Sequence, residues 1–351
     1  MPTKLLIVDD SALMRRTLTQ IFETAGGFEI QTARDGLDAL RMVSEWNPDV
    51  ITLDINMPKL DGLSALSEIM AHNPRPVVIV SSLTTQNALP TLEALALGAV
   101  DVVAKPSGTV SQDMRKVERE LIDKTRAALR AKIKRKAPRA SVLPARNTPP
   151  PAAVKHEPIT GLVLVGVSTG GPRTLEDILP QLPADLRFPV LVAIHMPVHF
   201  TGTFAKRIDE LCALTVMEVT RNTRISAGHI YIARGGADMI VSQHDSALTV
   251  GIAPPLPDSA WQPNIDRMVM TAMRYVKPQA LIGVQLTGMG EDGAAAMKAL
   301  HDAGGRTIAE SEETAVIFGM PRELIERKGA SCVLPCDRIA QQVVRWVNAR
   351  R

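Results

Sequence analysis

The chain has 351 residues, 45% of them hydrophobic and 22% charged, and a net charge of +3 at pH 7. It is too long for one ordinary core, so two or three soluble globular domains are expected, and the near-balanced charge calls for no nucleic-acid partner. No apolar run approaches the length of a membrane span and a strand pattern starts almost at Met1, so a cytoplasmic protein without membrane insertion is expected.

Cys212, Cys332 and Cys336 show no CxxC spacing, which points to buried, reduced thiols and away from a disulfide framework or a zinc site. Aromatic residues make up only 3%, so Val, Ile, Leu, Met and Ala must fill the cores.

In chain order, the apolar run Lys4–Val8 ends in Asp9-Asp10, and Ser11 can cap a helix with apolar positions Leu13, Met14, Leu18, Ile21 and Phe22. Strand patterns then end in Asp54, in Ser81-Ser82 and in Lys105-Pro106, with helical patterns near 36–46, 62–72 and 86–97 between them. Such alternation implies a parallel, doubly wound sheet whose strands share one carboxyl edge. That edge collects Asp9, Asp10, Asp54, Ser81 and Lys105. Three crowded carboxylates repel one another unless a cation lies between them, and hard oxygen ligands suit magnesium. A carboxylate beside such an ion can attack phosphorus, Lys105 can pair with the phosphoryl charge, and the Ser81 hydroxyl can follow a phosphoryl oxygen.

With Asp9-Asp10, Leu53-Asp-Ile-Asn-Met-Pro58, Asp61-Gly62, Ser81 and Lys105-Pro106, the first 125 residues resemble the receiver domain of two-component response regulators. The resemblance implies Asp54 as phosphoacceptor, magnesium held by Asp9, Asp10 and Asp54, and a histidine kinase as phosphodonor. Receivers often carry an aromatic three residues before the lysine. Here that residue is Val102, so a signal carried by an aromatic rotamer is not expected.

A charged helical pattern runs from Val110 to about Ile133. Residues 126–158 read as a linker, with basic residues Arg130, Lys132, Lys134, Arg135, Lys136, Arg139 and Arg146 and then prolines from Pro138 to Pro158. A segment of this composition buries little and reads as an extended tether. It lacks the interleaved aromatics and the helix-turn-helix pattern of a nucleic-acid binder.

Residues 159–351 form the third region, and its first stretch organises the rest. Leu162–Val167 reads as a buried strand, and Ser168-Thr-Gly-Gly-Pro172 turns it into a helix, with Pro172 at a position where a helix needs no donor. Gly166-x-Ser168-x-Gly170 matches the small-neighbour turn that exposes a nucleophilic hydroxyl, and also a helix cap or a phosphate loop. Further strand patterns cover 189–194, 214–219, 229–233 and 280–286, with weaker ones near 306–309 and 331–334. Helical patterns cover 173–180, 200–211, 263–276, 293–303 and 319–328, and Pro254–Pro257 reads as a surface loop. The expected fold class is therefore α/β throughout, two doubly wound, mainly parallel sheets joined by a linker. His195 ends the second strand of this region, and Asp292 follows Leu286-Thr-Gly-Met-Gly290. Each residue alone has a structural explanation. Together with Ser168 on one sheet edge they suggest a Ser–His–Asp triad, with His199 as a competing base. The order Ser…His…Asp differs from that of α/β-hydrolases. Donors to an oxyanion are expected from the Thr169 and Met289 amides.

Gly166–Pro172, His195-Met-Pro197, Gly228–Ala233, Leu286–Gly293 and Gly319-Met-Pro321 make this region similar to the catalytic domain of chemotaxis protein-glutamate methylesterases. The resemblance implies Ser168 as nucleophile, His195 as base and Asp292 as its orienting partner. It further implies glutamate methyl esters and certain glutamines on cytoplasmic chemoreceptor helices as substrates, and no metal in this half. Arg234 stands where proline is usual, Asp238 where histidine is common, and Gln262-Pro-Asn-Ile-Asp266 varies an Arg-Pro-Ser-Val-Asp pattern. None of these falls on the three residues, and altered receptor contacts or an altered sheet edge are the expected consequences. A receiver on such a domain suggests inhibition relieved by phosphorylation. Two alternatives remain open at this point: a receiver-controlled binding module without enzymatic activity, and a hydrolase of another esterified protein.

Overall fold

The structure, a computed structural model, describes residues 2–82, 85–106, 112–133, 159–245, 247–257, 259 and 261–349. It divides into two compact units, Met1–Ala137 and Pro138–Arg351. The linker prolines and the basic residues from Lys134 to Arg146 lie outside the described residues.

The first unit alternates β1 (Thr3–Val8), α1 (Ala12–Ala25), β2 (Phe28–Ala33), α2 (Gly36–Glu45), β3 (Val50–Leu53), α3 (Gly62–His72), β4 (Val77–Ser81), α4 (Thr85–Leu97), β5 (Asp101–Ala104) and α5 (Gln112–Ala128). Its five strands are all parallel, in the order β2-β1-β3-β4-β5. Both faces of such a sheet are covered by helices, so β1, β3, β4 and β5 are near-continuous apolar runs. Ser11 caps α1 as expected, its hydroxyl accepting from the Met14 amide. The sequence reading missed β2, whose Phe-Glu-Ile-Gln-Thr-Ala pattern is that of a half-exposed edge strand. The expected helix to Ile133 stops at Ala128, where the Arg130 and Ala131 amides turn back onto the carbonyls of Ala127 and Ala128 and tighten the last turn.

The second unit contains β6 (Leu162–Val167), α6 (Gly171–Ile178), β7 (Val190–Ile194), α7 (Val198–Leu211), β8 (Thr215–Val219), β9 (Thr223–Arg224), β10 (His229–Ala233), β11 (Asp238–His244) and β12 (Ala247–Ala253). It continues with α8 (Ile265–Tyr275), β13 (Leu281–Gln285), α9 (Ala294–Asp302), β14 (Arg306–Glu310), α10 (Met320–Glu326), β15 (Cys332–Leu334) and α11 (Cys336–Asn348). Seven parallel strands lie in the order β15-β14-β13-β6-β7-β10-β8. From β6 the chain crosses to β7 on one side and later returns through β13 on the other. The crevice outside the carboxyl ends of β6 and β13 is thus a topological switch point, where open α/β sheets bind ligands. With aromatics scarce, Met268, Met297 and Met320 help fill the core against Leu162, Leu164 and Leu191.

Two features were absent from the sequence reading. One is a small antiparallel sheet, β11-β12-β9, whose β11 packs on α8. The other is α11, which buries Ile339, Ala340, Val343 and Val347 on one face. The cysteines are unpaired, but only Cys212 is fully buried, and burial followed by the charge of Asp209 pushes its thiol up to about 12. Cys332 and Cys336 sit near the start of β15 and of α11 and are only half-buried, which corrects the expectation for them. Among the described residues, no helix is long and apolar enough to cross a membrane.

Candidate active site and phosphoacceptor site

At the carboxyl edge of the first sheet the expected residues come together. Carboxylate oxygens of Asp9, Asp10 and Asp54 lie within 4.8 Å of one another. The Lys105 ammonium lies 2.7 Å from Asp9 Oδ2 and 2.9 Å from Asp54 Oδ2. Burial pushes the Asp54 carboxyl above its ordinary range even though Lys105 opposes the shift. Burial also works against the Lys105 ammonium, but its two carboxylate partners outweigh that and hold it above the ordinary lysine range. The buried Ser81 hydroxyl oxygen has no hydrogen-bond partner among the described residues. A hard-oxygen donor set with an orphaned hydroxyl beside it fits a magnesium ion and a phosphoryl group.

Val102 is buried in the core. Its carbonyl accepts from the Lys124 ammonium at 2.9 Å, and the same ammonium bridges Asp101 and Glu120. The Lys124 ammonium thus forms a buried, ion-paired anchor from α5 to β5 beside Val102. Burial works against the Lys124 ammonium, yet Asp101 and Glu120 outweigh it and hold the group above the ordinary lysine range.

In the second unit, Ser168 and His195 emerge side by side. Val167 pairs with Ile194 in parallel register, and the His195 amide donates to the Val167 carbonyl at 3.1 Å. The Ser168 amide donates to the Thr287 carbonyl (2.9 Å), and the Gly171 amide closes a tight turn onto the Ser168 carbonyl (2.7 Å). Gly170 has φ +80°, a conformation costly for residues with a Cβ, and begins α6. Gly288 lets the Thr287–Gly290 turn approach Ser168, since a Cβ there would lie 2.7 Å from the Ser168 Cβ.

His195 Nε2 donates to Asp292 Oδ2 at 2.8 Å, with Asp292 buried and His195 partly so. The other ring nitrogen, Nδ1, is buried and has no partner among the described residues, so it is the atom left to accept a proton. His199, the competing base, lies exposed in the first turn of α7. Asp292 does not cap its own following helix. Its Oδ2 accepts from the Ile265 amide (2.8 Å) and its Oδ1 from the Asp266 amide (3.2 Å), the first two amides of α8. These are helix-end amides that have no partner within α8 itself. Asp266 reciprocates, accepting from the Ala296 amide of α9 at 2.7 Å.

The Thr287–Gly290 turn is fixed from behind. The buried Glu310 carboxylate accepts from the Thr287 amide (2.9 Å), and the Thr287 hydroxyl donates to the Thr169 carbonyl (2.9 Å). Thr169 and Met289 thus sit on two linked turns flanking Ser168. The Met289 amide donates to nothing among the described residues. The indole of Trp261 stacks on the His195 ring, with centroids 5.2 Å apart and planes 7° from parallel.

Sequence reasoning missed Glu310, Trp261 and the capping role of Asp266. Only an acidic residue ending an apolar strand, Glu310 after Thr-Ile-Ala, left a usable signal. The substitutions at 238 and 264 are also closer to the site than expected. The buried Asp238 accepts from the Asn264 amide (2.9 Å) and from Arg267 (2.7 Å), and Asn264 caps α8, whose first amides hold Asp292.

Residues 163–343 match the family described as CheB methylesterase, and residues 5–115 match the response regulator receiver domain. The chain is 50% identical over 359 aligned residues to protein-glutamate methylesterase/protein-glutamine glutaminase 3 of Rhodospirillum rubrum, covering 99% of this chain and 96% of that protein. A second relative, protein-glutamate methylesterase/protein-glutamine glutaminase 2 of Rhodopseudomonas palustris, is 49% identical over 99% of this chain and 98% of its own. In three dimensions, the crystal structure of the Thermotoga maritima CheB methylesterase catalytic domain aligns with a TM-score of 0.51 and 34% identity, covering 53% of this chain and 97% of that one. With a matching family domain over half its length and relatives aligned from end to end, the chain belongs to the CheB methylesterase family and carries a response regulator receiver domain ahead of the catalytic domain.

Proposed function

We propose that the second unit hydrolyses methyl esters of glutamate side chains, and deamidates certain glutamines, on the cytoplasmic helices of chemoreceptors. Phosphorylation of Asp54 by a chemotaxis histidine kinase controls this activity. The observation that carries the reading is the His195–Asp292 pair at the switch point, with the Ser168 turn on the neighbouring strand end.

The Ser168 hydroxyl gives its proton to His195 Nδ1 as its oxygen attacks the γ-carbonyl carbon. The carbonyl π electrons move to oxygen, where the Thr169 and Met289 amides receive the charge. Each such donor contributes about 2.7–4 kcal/mol to the transition state. His195 then returns the proton to the departing oxygen or nitrogen, releasing methanol or ammonia. Water attacks the acyl-enzyme by the same path in reverse, its proton passing through Nδ1 to Ser168. Throughout, Asp292 keeps the second proton on Nε2 and balances the imidazolium charge. A proton acceptor positioned in this way contributes roughly 10²–10⁴ in rate.

In the receiver, Asp54 is the nucleophile toward a phosphodonor, Lys105 pairs with the added charge and Ser81 donates to a phosphoryl oxygen. Asp9, Asp10 and Asp54 would hold a magnesium ion, which would supply charge neutralisation there. The reading as a mere binding module leaves the His195–Asp292 pair without a task.

The test is methanol release from methylated chemoreceptor membranes, with and without a small phosphodonor plus magnesium. Release that rises with the donor, and loses that response in Asp54→Ala, is expected. No release from folded, phosphorylated protein would overturn the assignment of substrate.

A further inference from the structure

Asp292 holds one edge of the His195 ring, and a second group holds its face. Trp261 lies parallel to the imidazole, and its six-membered ring also packs on Gly290, where a Cβ would come within 2.5 Å of Cζ2. The indole is therefore wedged between the base and the turn that carries Met289. Its backbone is pinned by one hydroxyl. Ser259 Oγ donates to the Trp261 carbonyl (2.7 Å), accepts from the Trp261 amide (3.3 Å), and accepts from Asn264 Nδ2 at the cap of α8 (3.2 Å). The same cap thus anchors both the indole and, through the Ile265 amide, Asp292.

We propose that Trp261 is a positioning residue for the base. Its π-face fixes the plane in which His195 Nε2 meets Asp292, and stabilises the imidazolium that exists between the two proton transfers. The kinetic part of this inference rests on the acyl-transfer reading above, whereas the coupling of indole to imidazole does not.

An aromatic face attracts a cation within about 6 Å of its centroid, more strongly where water is excluded. Around the ring, the other charged or titratable groups are Asp292 at Nε2, Asp266 behind it, and the more exposed Glu291–Arg327 pair. Arg234 follows the adjacent strand β10, and His199 lies in the first turn of α7.

Two experiments on the full chain test this. In a Trp46→Phe/Trp346→Phe background Trp261 is the sole indole, and a stacked imidazolium quenches its emission. The expected result is one fluorescence transition with pH that vanishes on adding His195→Gln. A pH response unchanged by His195→Gln would overturn the proposal whether or not the protein hydrolyses esters.

In ester hydrolysis, Trp261→Leu removes the stabilisation of the protonated base. Its acid limb is expected to move to lower pH by about half a unit. Its kcat is expected to fall roughly three- to tenfold at unchanged KM, with Trp261→Phe recovering most of both. An unmoved acid limb with a raised KM would make the indole a wall for substrate and overturn the positioning role. Wild-type protein that shows the fluorescence coupling but no hydrolysis would count against the methylesterase reading alone.

Discussion

Replacing Asp292 with Asn separates its charge from its shape. The carboxylate accepts three N–H groups, from His195 Nε2, Ile265 and Asp266. An Asn side chain can keep its oxygen where Oδ2 stands, preserving the first two bonds and the tautomer of His195, and lose only the negative charge. Opposite charges about 4 Å apart attract by about 4 kcal/mol at an effective dielectric constant of 20. Losing that stabilisation of the imidazolium costs about three decades in rate. The amide nitrogen then faces the Asp266 N–H, donor against donor, at a cost of about 1–3 kcal/mol in stability. The flipped amide is worse, because its NH₂ would push the imidazole proton onto Nδ1 and block acceptance from Ser168. We therefore expect Asp292→Asn to lower kcat about a thousandfold with little change in KM, and to lower the melting temperature. Methanol release and circular dichroism measure the two effects. A loss below tenfold in protein with a wild-type melting curve would refute the role given to the charge.

Gly288→Ala puts a methyl group against the Ser168 Cβ and should cost about 1–3 kcal/mol of stability. It should also cost most of the hydrolytic activity, and near-wild-type turnover would show that the turn yields without moving the nucleophile. Asp54 has its carboxyl raised mainly by burial, so the native state binds that proton more tightly than the unfolded chain does. The stability it contributes is fully present below the ordinary aspartate pKa of about 3.9 and is lost as pH rises through the raised native value. Asp54→Asn should accordingly melt above wild type at pH 7 without magnesium, the gap closing as the pH falls toward that value. Adding magnesium should narrow the gap at pH 7, since ion at ten times its Kd stabilises the wild type by about 1.4 kcal/mol and the variant by less. Asp266 is raised by burial first and by Asp292 as well, so the same sign applies. Asp266→Asn keeps an oxygen for the Ala296 amide and should melt no lower than wild type at neutral pH, and a lower melting point would show that α9 needs the charge. Lys124→Ala takes the buried cation away from Asp101, Glu120 and the Val102 carbonyl, and urea titration should show a loss of about 3–5 kcal/mol, with a loss under 1 contradicting the anchor.

What the sequence discloses is whatever recurs at strand or helix spacing and ends in a chemically distinctive residue. Asp9, Asp54, Ser81 and Lys105 end β1, β3, β4 and β5, and Ser168, His195 and Asp292 follow β6, β7 and β13, so parallel topology alone carries them to common edges. The hairpin β11–β12 was illegible because most of its positions are polar or half-exposed, so neither strand shows a continuous apolar run. Its buried Asp238 could only be recognised through Asn264 and Arg267, 26 and 29 residues away. Trp261 is hidden for the same reason. It lies in a proline-flanked stretch without periodicity, and its partner is 66 positions earlier in the chain.

The arrangement of the charge behind His195 explains why substitutions at 238 and 264 belong to the site although neither residue touches the imidazole. A carboxylate buried at the switch point would pay a heavy desolvation cost unless fixed donors met it. Here the donors are the first amides of α8, so the start of that helix determines where Asp292 can sit. Asn264 sets the start by capping it, Asp238 holds the Asn264 amide, and Arg267 neutralises Asp238 from one turn further on. Asp266 returns the favour to α9, the helix that follows Asp292, so the two helix ends and the two carboxylates fix one another. A change at 238 that keeps an acceptor for the Asn264 amide preserves this frame, whereas one that removes the acceptor frees the helix start and with it the orientation of the base. The Asp292 carboxylate is thus held by backbone groups whose positions are set one and two contacts away. Changes at 238 or 264 can therefore reach the proposed chemistry without altering Ser168, His195 or Asp292.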